Sequence, residues 1–282
     1  MGEMINGKKL AKETREKLKI KCDELKERGI NPKFAAIMIG NDTASQIYIR
    51  NKSKACEEIG IEFEEYLLSE NIEQKELIEK IKELNNRKDI HGILLQSPIP
   101  ASLDINEAFR TIAPEKDVDG FNPLNIGKLC LNQDTFVSCT PFGIMKMFEA
   151  YGIELEGKDV TIVGRSNIVG KPLIQCCLRK NATVTVCHSK TKDLKKHTKD
   201  ADVVIMAIGK SKFLKADMIK EGAVVIDVGI NRDSEGKITG DADFDNILSK
   251  ASFITPVPGG VGPMTIAMLM NNIIKAAEMQ NK

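Results

Sequence analysis

The sequence lacks a charge surplus: 41 Lys and Arg stand against 40 Asp and Glu, and neither sign gathers into a block. No nucleic acid and no anionic membrane surface is therefore expected as partner, and small ligands become the default. It lacks any apolar run long enough to span a bilayer. Its opening, "MGEMINGKKLAKETREKLKI", turns charged and amphipathic within a few residues, so no secretory apolar core stands there and a cytoplasmic protein is expected. Disulfide and redox motifs are missing too. The seven cysteines, Cys22, Cys56, Cys130, Cys139, Cys176, Cys177 and Cys187, are odd in number and contain no CxxC pair, which suits reduced residues in or near a core. His91, His188 and His197 have no metal-ligand spacing to one another or to the cysteines, so no metal is expected. Neither an internal repeat nor a low-complexity tract occurs.

What is present is an alternation of amphipathic and β-type segments. A helix is predicted around 7 to 28, with Leu10, Leu18, Cys22 and Leu25 on one face, followed by the strand "FAAIMIG". A second helix near 44 to 59 ends at Gly60; the strand "IEFEEYLL", a helix near 72 to 86 and the strand "HGILLQ" follow. Between 97 and 127 the texture changes to Pro, Gly, Asn and Asp, which reads as a loop-built connector and a domain boundary. Beyond a helix near 141 to 151, "VTIV", "TVTVCH", "DVVIMAI" and "AVVIDVG" recur at Rossmann-like intervals. The fold class is α/β with two domains, set at 1–120 and 121–262, and a final helix over 263–282.

One turn in the second half points to a nucleotide. "DVTIVGRSNIVGKPL" reads as strand, Gly164, a short polar turn, then Gly170 and a helix near Pro172. Backbone N–H groups at such a helix start favour phosphate, and glycines let the backbone approach it. The spacing is GxSxxxG, not GxGxxG, and a tight turn that binds nothing is the competing reading. The next strand ends "CHSK", without the carboxylate that grips an NAD ribose. Arg165, Ser189 and Lys190 offer cationic and hydroxyl donors instead, which favours a 2′-phosphate and hence NADP, although Lys190 also reads as a solvated surface charge.

A second stretch, "YIRNKSKA", sets Tyr48 and Lys52 one helical turn apart. With Ala55, Cys56 and Ile59 they make one mainly apolar stripe, which puts Lys52 where a core residue is expected. Taken singly, these residues have plain structural readings. Tyr48 reads as a core aromatic with its hydroxyl at the rim, Lys52 as a snorkelling side chain and Gln96 as a loop cap. Asp119 reads as a turn residue making an Asx bond, a role equally open to Asp117.

Several longer motifs carry a family resemblance. "YIRNKSKACEEIGI", "GILLQSPIP", "PEKDVDGFNPLNIGKL", "CTPFGIM", "GRSNIVGKP" and "TPVPGGVGPMTIAMLMNN" occur in the order seen in bifunctional methylenetetrahydrofolate dehydrogenase/methenyltetrahydrofolate cyclohydrolase, the FolD family, which the chain resembles along almost its whole length. The resemblance implies an N-terminal folate-binding catalytic domain, a C-terminal Rossmann-type domain for NADP, a cleft between them, a last helix returning to the first domain, and a homodimer. By motif it implies Tyr48, Lys52, Gln96 and Asp119 as catalytic and substrate-binding positions. Gly164, Arg165, Ser166, Ser189 and Ile230 become NADP contacts, and Pro258, Gly259, Gly260 and Thr265 line the substrate side. Three departures stand out: Ser97 where many relatives are apolar, Ser138 where many have Pro, and Ser189 where some have Arg.

The implied chemistry suits those residue types. Hydride loss from the methylene carbon between two folate nitrogens leaves a delocalised cation and moves no proton, so orientation is the main requirement. Hydration of the methenyl product needs a base, and burial with nearby positive charge favours the neutral amine of a lysine. On that reading Lys52 handles the proton, Gln96 orients it, Tyr48 stacks on the folate and Asp119 accepts hydrogen bonds from the pterin. The three glycines of "PGGVGPMT" permit close backbone approach to a flat ligand, and Pro263 starts the helix; a plain loop-to-helix junction is the alternative. The alternatives for the whole chain are a dehydrogenase lacking cyclohydrolase activity and a non-catalytic NADP-binding sensor.

Overall fold

The computed structural model describes residues 2–233 and 235–281. The chain opens with a two-residue strand, β1 (Glu3–Met4), and a long helix, α1 (Gly7–Glu27). Then come β2 (Lys33–Ile39), α2 (Thr43–Ile59), β3 (Glu62–Leu68), α3 (Gln74–Asn86) and β4 (Gly92–Leu95). Two short helices, α4 (Ile105–Thr111) and α5 (Pro123–Cys130), precede α6 (Cys139–Ala150). A second alternating series follows: β5 (Asp159–Val163), α7 (Gly170–Leu178), β6 (Thr183–Cys187), α8 (Leu194–Thr198), β7 (Val203–Met206) and β8 (Val224–Asp227). A small hairpin of β9 (Asn231–Arg232) and β10 (Ile238–Thr239), a single turn α9 (Phe244–Ile247), β11 (Phe253–Ile254) and the long α10 (Val261–Gln280) complete it. No helix among the described residues is long and apolar enough to cross a membrane.

Two compact units result: Lys12–Val137 with Ile266–Lys282, and Met1–Ala11 with Ser138–Thr265. The first holds a three-stranded parallel sheet ordered β3-β2-β4, with Phe34 opposite both Phe63 and Gly92. Central β2 is apolar almost throughout because both of its faces are covered. Ala35, Ile37, Ile39, Leu77, Ile81, Leu84, Ile93 and Leu95 form one buried cluster between this sheet and its helices. The second unit is a six-stranded parallel sheet ordered β1-β11-β8-β7-β5-β6. Because β6 and β7 lie on opposite sides of β5, the strand order reverses at the carboxyl end of β5, the usual ligand position in such sheets. The first sheet has the same property at β2, flanked by β3 and β4.

The connector and the domain limits differ from the sequence reading. The segment 97–127 is not loop throughout: it contains α4 and the start of α5, each opened by a side-chain cap, Asp104 to the Asn106 amide and Asn122 to the Leu124 amide. The first unit runs on to Val137 instead of ending at residue 120, because Asn122 and Asn125 tie α5 back to residues 109–117. The first eleven residues join the second unit, where β1 pairs with β11 and Ile5 is fully buried. Two-residue strands leave no periodic signal, which is why both ends of this sheet edge were silent in the sequence. From Ile266 onward α10 counts with the first unit: Asn272 Nδ2 donates to Val118 O (2.8 Å) and Gln280 Nε2 to His91 O (2.8 Å).

Candidate active site

Helix α2 follows the carboxyl end of β2 and is well delimited. Asp42 accepts from the Ser45 amide (2.7 Å) at its start, and Gly60, at φ 88°, ends it in the left-handed conformation. Its inward line is Ser45, Ile49, Ala55, Cys56 and Ile59. Lys52 falls on that line at the spacing 45, 49, 52, 56, 59, so its stem runs along an apolar seam while the side chain is half-buried. Tyr48 does not belong to the core. It is 43% exposed, at the rim one turn before Lys52, because the seam passes through Ile49 and not through its neighbour.

Gln96 is the first residue after β4 and is buried. Its amide donates to Ile37 O (2.8 Å), continuing the β2–β4 ladder by one bond. Its side-chain Nε2 donates to Ser97 O (2.7 Å), which leaves Oε1 to accept from Lys52 Nζ at 2.9 Å. Two residues 44 positions apart thus meet through an ammonium or amine donor and a neutral amide acceptor. The Ser97–Pro98 peptide beside them is cis.

Asp119 sits in a turn closed by the Gly120 amide on Asp117 O (3.1 Å), with Gly120 at φ 72°. That turn is pinned from three directions. The Ile93 amide donates to Lys116 O (2.8 Å), extending the edge of β4, and Asn272 Nδ2 binds Val118 O. Buried Lys116 caps the end of α3 by donating to the carbonyls of Leu84 (3.2 Å), Asn85 (2.8 Å) and Arg87 (2.6 Å), and burial lowers its pKa.

The Asx role falls to Asp117. Its carboxylate is buried and accepts from the amides of Phe121 (3.1 Å) and Asn122 (2.8 Å) and from Asn125 Nδ2 (2.8 Å). Burial outweighs these bonds and pushes its pKa up to about 6. Asp119, by contrast, is half-buried on the same turn.

In the second unit, Gly164 ends β5 at φ 133°, and a Cβ there would lie 2.3 Å from Ala207 O. A Cβ at Gly170 would lie 2.5 Å from Gly164 O. Both positions require glycine, because main chain packs directly against main chain there. Ser166 has a local task that its sequence position did not reveal: its Oγ accepts from the amides of Val169 (3.1 Å) and Gly170 (3.3 Å), bracing the turn that leads into α7. Arg165 and Ser166 are exposed on this turn, Ser189 is exposed just beyond β6, and Ile230 is 56% exposed just beyond β8. All five predicted nucleotide residues therefore stand at the carboxyl ends of parallel strands in one sheet. The tight glycine turn at the end of β5, the missing carboxylate after β6 and the exposed Arg165 and Ser189 fit a phosphorylated dinucleotide.

The remaining predicted residues lie in a tight bend before and within the first turns of α10. Val257–Pro258 is cis, Gly259 has φ 104° and accepts at its carbonyl from the Lys8 amide (2.9 Å), and a Cβ at Gly260 would lie 2.5 Å from Pro256 O. Thr265 Oγ1 pairs with Thr140 Oγ1 at 3.0 Å. Six of the cysteines are buried and free, and Cys130 is exposed. No group of three or more metal-ligating side chains occurs among the described residues.

Comparison with known proteins agrees with this layout. Residues 5–119 match the tetrahydrofolate dehydrogenase/cyclohydrolase catalytic domain, and residues 138–281 match the NAD(P)-binding domain of the same family. The bifunctional protein FolD of Oceanobacillus iheyensis is 52% identical over 281 residues, covering 100% of this chain and 99% of that protein. A crystal structure of the bifunctional FolD methylenetetrahydrofolate dehydrogenase/cyclohydrolase from Campylobacter jejuni superposes with a TM-score of 0.98 at 49% identity, covering 99% of both chains. The Trypanosoma brucei dehydrogenase-cyclohydrolase, solved with NADP and an inhibitor, gives 0.95 at 34% identity, covering 100% of this chain and 99% of that one.

Proposed function

The chain belongs to the tetrahydrofolate dehydrogenase/cyclohydrolase family, and from that membership we propose that Lys52, steered by Gln96, is the proton acceptor of the second of its two reactions. The protein is a bifunctional enzyme. It oxidises 5,10-methylenetetrahydrofolate with NADP and hydrolyses the methenyl product to 10-formyltetrahydrofolate.

In the oxidation NADP, when bound, supplies the hydride acceptor. The chain has to supply orientation, since the neighbouring nitrogen lone pair stabilises the cation and no protein group needs to take a proton. Tyr48, an exposed ring at the rim of α2, is suited to stack on the flat substrate, and the Asp119 carboxylate to accept from the pterin N–H groups. Gly164, Arg165, Ser166, Ser189 and Ile230 are the dinucleotide contacts, and Pro258, Gly259, Gly260 and Thr265 border the substrate.

Hydration requires removal of a proton from the attacking water. The observation that carries the assignment is the 2.9 Å bond from Lys52 Nζ to Gln96 Oε1. A neutral amide oxygen accepts from an ammonium and from an amine alike, so it holds the nitrogen in place without locking it into its charged form. A carboxylate in that position would favour the cation.

The test is Lys52→Met. Methenyl hydrolysis is expected to fall by about 10²–10⁴, the usual contribution of a positioned base, while NADPH formation stays within about tenfold. Hydrolysis at the unaltered rate overturns the assignment; NADPH formation without any hydrolysis in the unmodified protein identifies a dehydrogenase alone, and neither activity identifies a sensor. The assembly proposed is a cytoplasmic homodimer without nucleic-acid partners, checked by light scattering for twice the 31.2 kDa chain mass.

A further inference from the structure

We propose that Asp241 is a positioning residue for dinucleotide binding: it shapes two of the strand-end loops that receive NADP without itself touching the ligand. The proposal rests on the reading that NADP lies at the carboxyl ends of this sheet.

Asp241 is fully buried, and its carboxylate gathers the loop that follows β7. Oδ2 accepts from the amides of Ile208 (2.7 Å) and Gly209 (3.1 Å), and Oδ1 accepts from the Lys210 amide (2.7 Å) and from Asn231 Nδ2 (2.9 Å). Three successive backbone N–H groups converging on one anion form a nest, with a side-chain carboxylate as the anion. The loop held this way begins at Ala207, whose carbonyl sits where a side chain on Gly164 would have to go and whose amide donates to Val163 O (2.8 Å). Holding residues 208–210 therefore sets one wall of the glycine turn. Through Asn231 the same carboxylate holds the residue next to Ile230, on the loop after β8.

The main chain of Asp241 is tied down in turn. Its amide donates to Asp227 Oδ1 (2.9 Å), that of Ala242 to Asp227 Oδ2 (2.8 Å), and its carbonyl accepts from the Leu214 amide (2.9 Å). Two glycines exist to admit the carboxylates. A Cβ at Gly229 would lie 2.2 Å from Asp241 Oδ1, and one at Gly240 would lie 1.9 Å from Asp227 Oδ2. Bare backbone at both places lets a buried anion sit against each loop, an arrangement that packing alone would not require.

Asp241→Asn keeps the shape and removes the charge that organises four donors. Expected is a rise of about tenfold or more in the KM for NADP, with the KM for methylenetetrahydrofolate and the rate of methenyl hydrolysis, assayed without NADP, within about twofold. Equal losses in both activities with unchanged KM values would mean a purely structural residue and overturn the proposal. Should that variant fail to fold, Asn231→Ala carries the test, since it deletes one donor at a partly exposed position: a rise of about threefold or more in the NADP KM supports the proposal and an unchanged value overturns it. Unmodified protein that forms no NADPH at all would refute the underlying reading of the dinucleotide site, and the proposal with it.

Discussion

Both units set their candidate site residues at the carboxyl ends of parallel strands, by opposite means. In the first unit the proposed site residues are side chains whose placement depends on other side chains: Lys52 on Gln96, and the Asp119 turn on Asp117, Asn125 and Asn272. In the second unit backbone shape dominates, with Gly164 and Gly170 letting main chain pack against main chain and Ser166 and Asp241 gripping main-chain amides. A reacting group has to be chosen chemically, whereas a phosphate is satisfied by amides and space. The consequence is that damage should segregate, with substitutions in one unit sparing the reaction step governed by the other.

The hardest test of that separation is Gly164→Ala. An L-residue at φ 133° with its Cβ 2.3 Å from Ala207 O has to move the turn, so the KM for NADP should rise by about a hundredfold or more while folded protein still hydrolyses the methenyl substrate. Parallel steady-state assays of the two reactions read this out; equal loss of both would break the comparison.

Gln96→Glu probes the first unit from the other side. A carboxylate 2.9 Å from Nζ favours the charged ammonium, so hydrolysis at neutral pH should drop by about a hundredfold and its pH optimum should move upward, with the KM for NADP unchanged. A pH–rate profile that keeps its optimum would sink the proton-acceptor reading.

The smallest effect concerns stability. Each unit keeps a buried carboxylate beneath its loop, Asp117 in one and Asp227 in the other, and burial pushes both up to about 6. Because folding raises the pKa of these acids, their contribution is full below about pH 4, the ordinary aspartate value, and is lost as pH climbs through about 6. A rise from about 4 to about 6 corresponds to at most ~3 kcal/mol per group. Denaturant unfolding of Asp117→Asn and of the unmodified protein at pH 4 and pH 7 checks this: the unmodified protein should lose ground relative to the variant as pH rises. Glu64 gives the contrast. Paired with Arg87, it is held down at about 2, so its contribution is present above about pH 4.5 and disappears as pH falls through about 2.

Much of this was legible in the sequence, and the pattern of successes is physical. The central strands and longer helices showed because each repeats an apolar face several times. The glycine turn showed because its backbone conformation admits few residues. What failed to show was short or decided by a distant partner. The strands at 3–4 and 253–254 are too brief for any period, the helices at 105–111 and 123–130 were masked by a Pro- and Asn-rich texture, and Tyr48 lies off the buried seam by one position.

The alternation of strand and helix, the glycine spacing and the ordered family motifs belong to the sequence itself, since each depends on the conformations and faces available to a few neighbouring residues. Asp117 and Asp119 mark the limit of that information: two carboxylates in one turn, alike in composition and local context. Only the pairing of Ile93 with Lys116 O and the arrival of Asn125 and Asn272 decide that the first is buried as a brace and the second half-buried beside it. The same holds for Asp241, which only long-range packing brings under the loops it shapes, because burial is a property of what surrounds a residue and not of the residue itself.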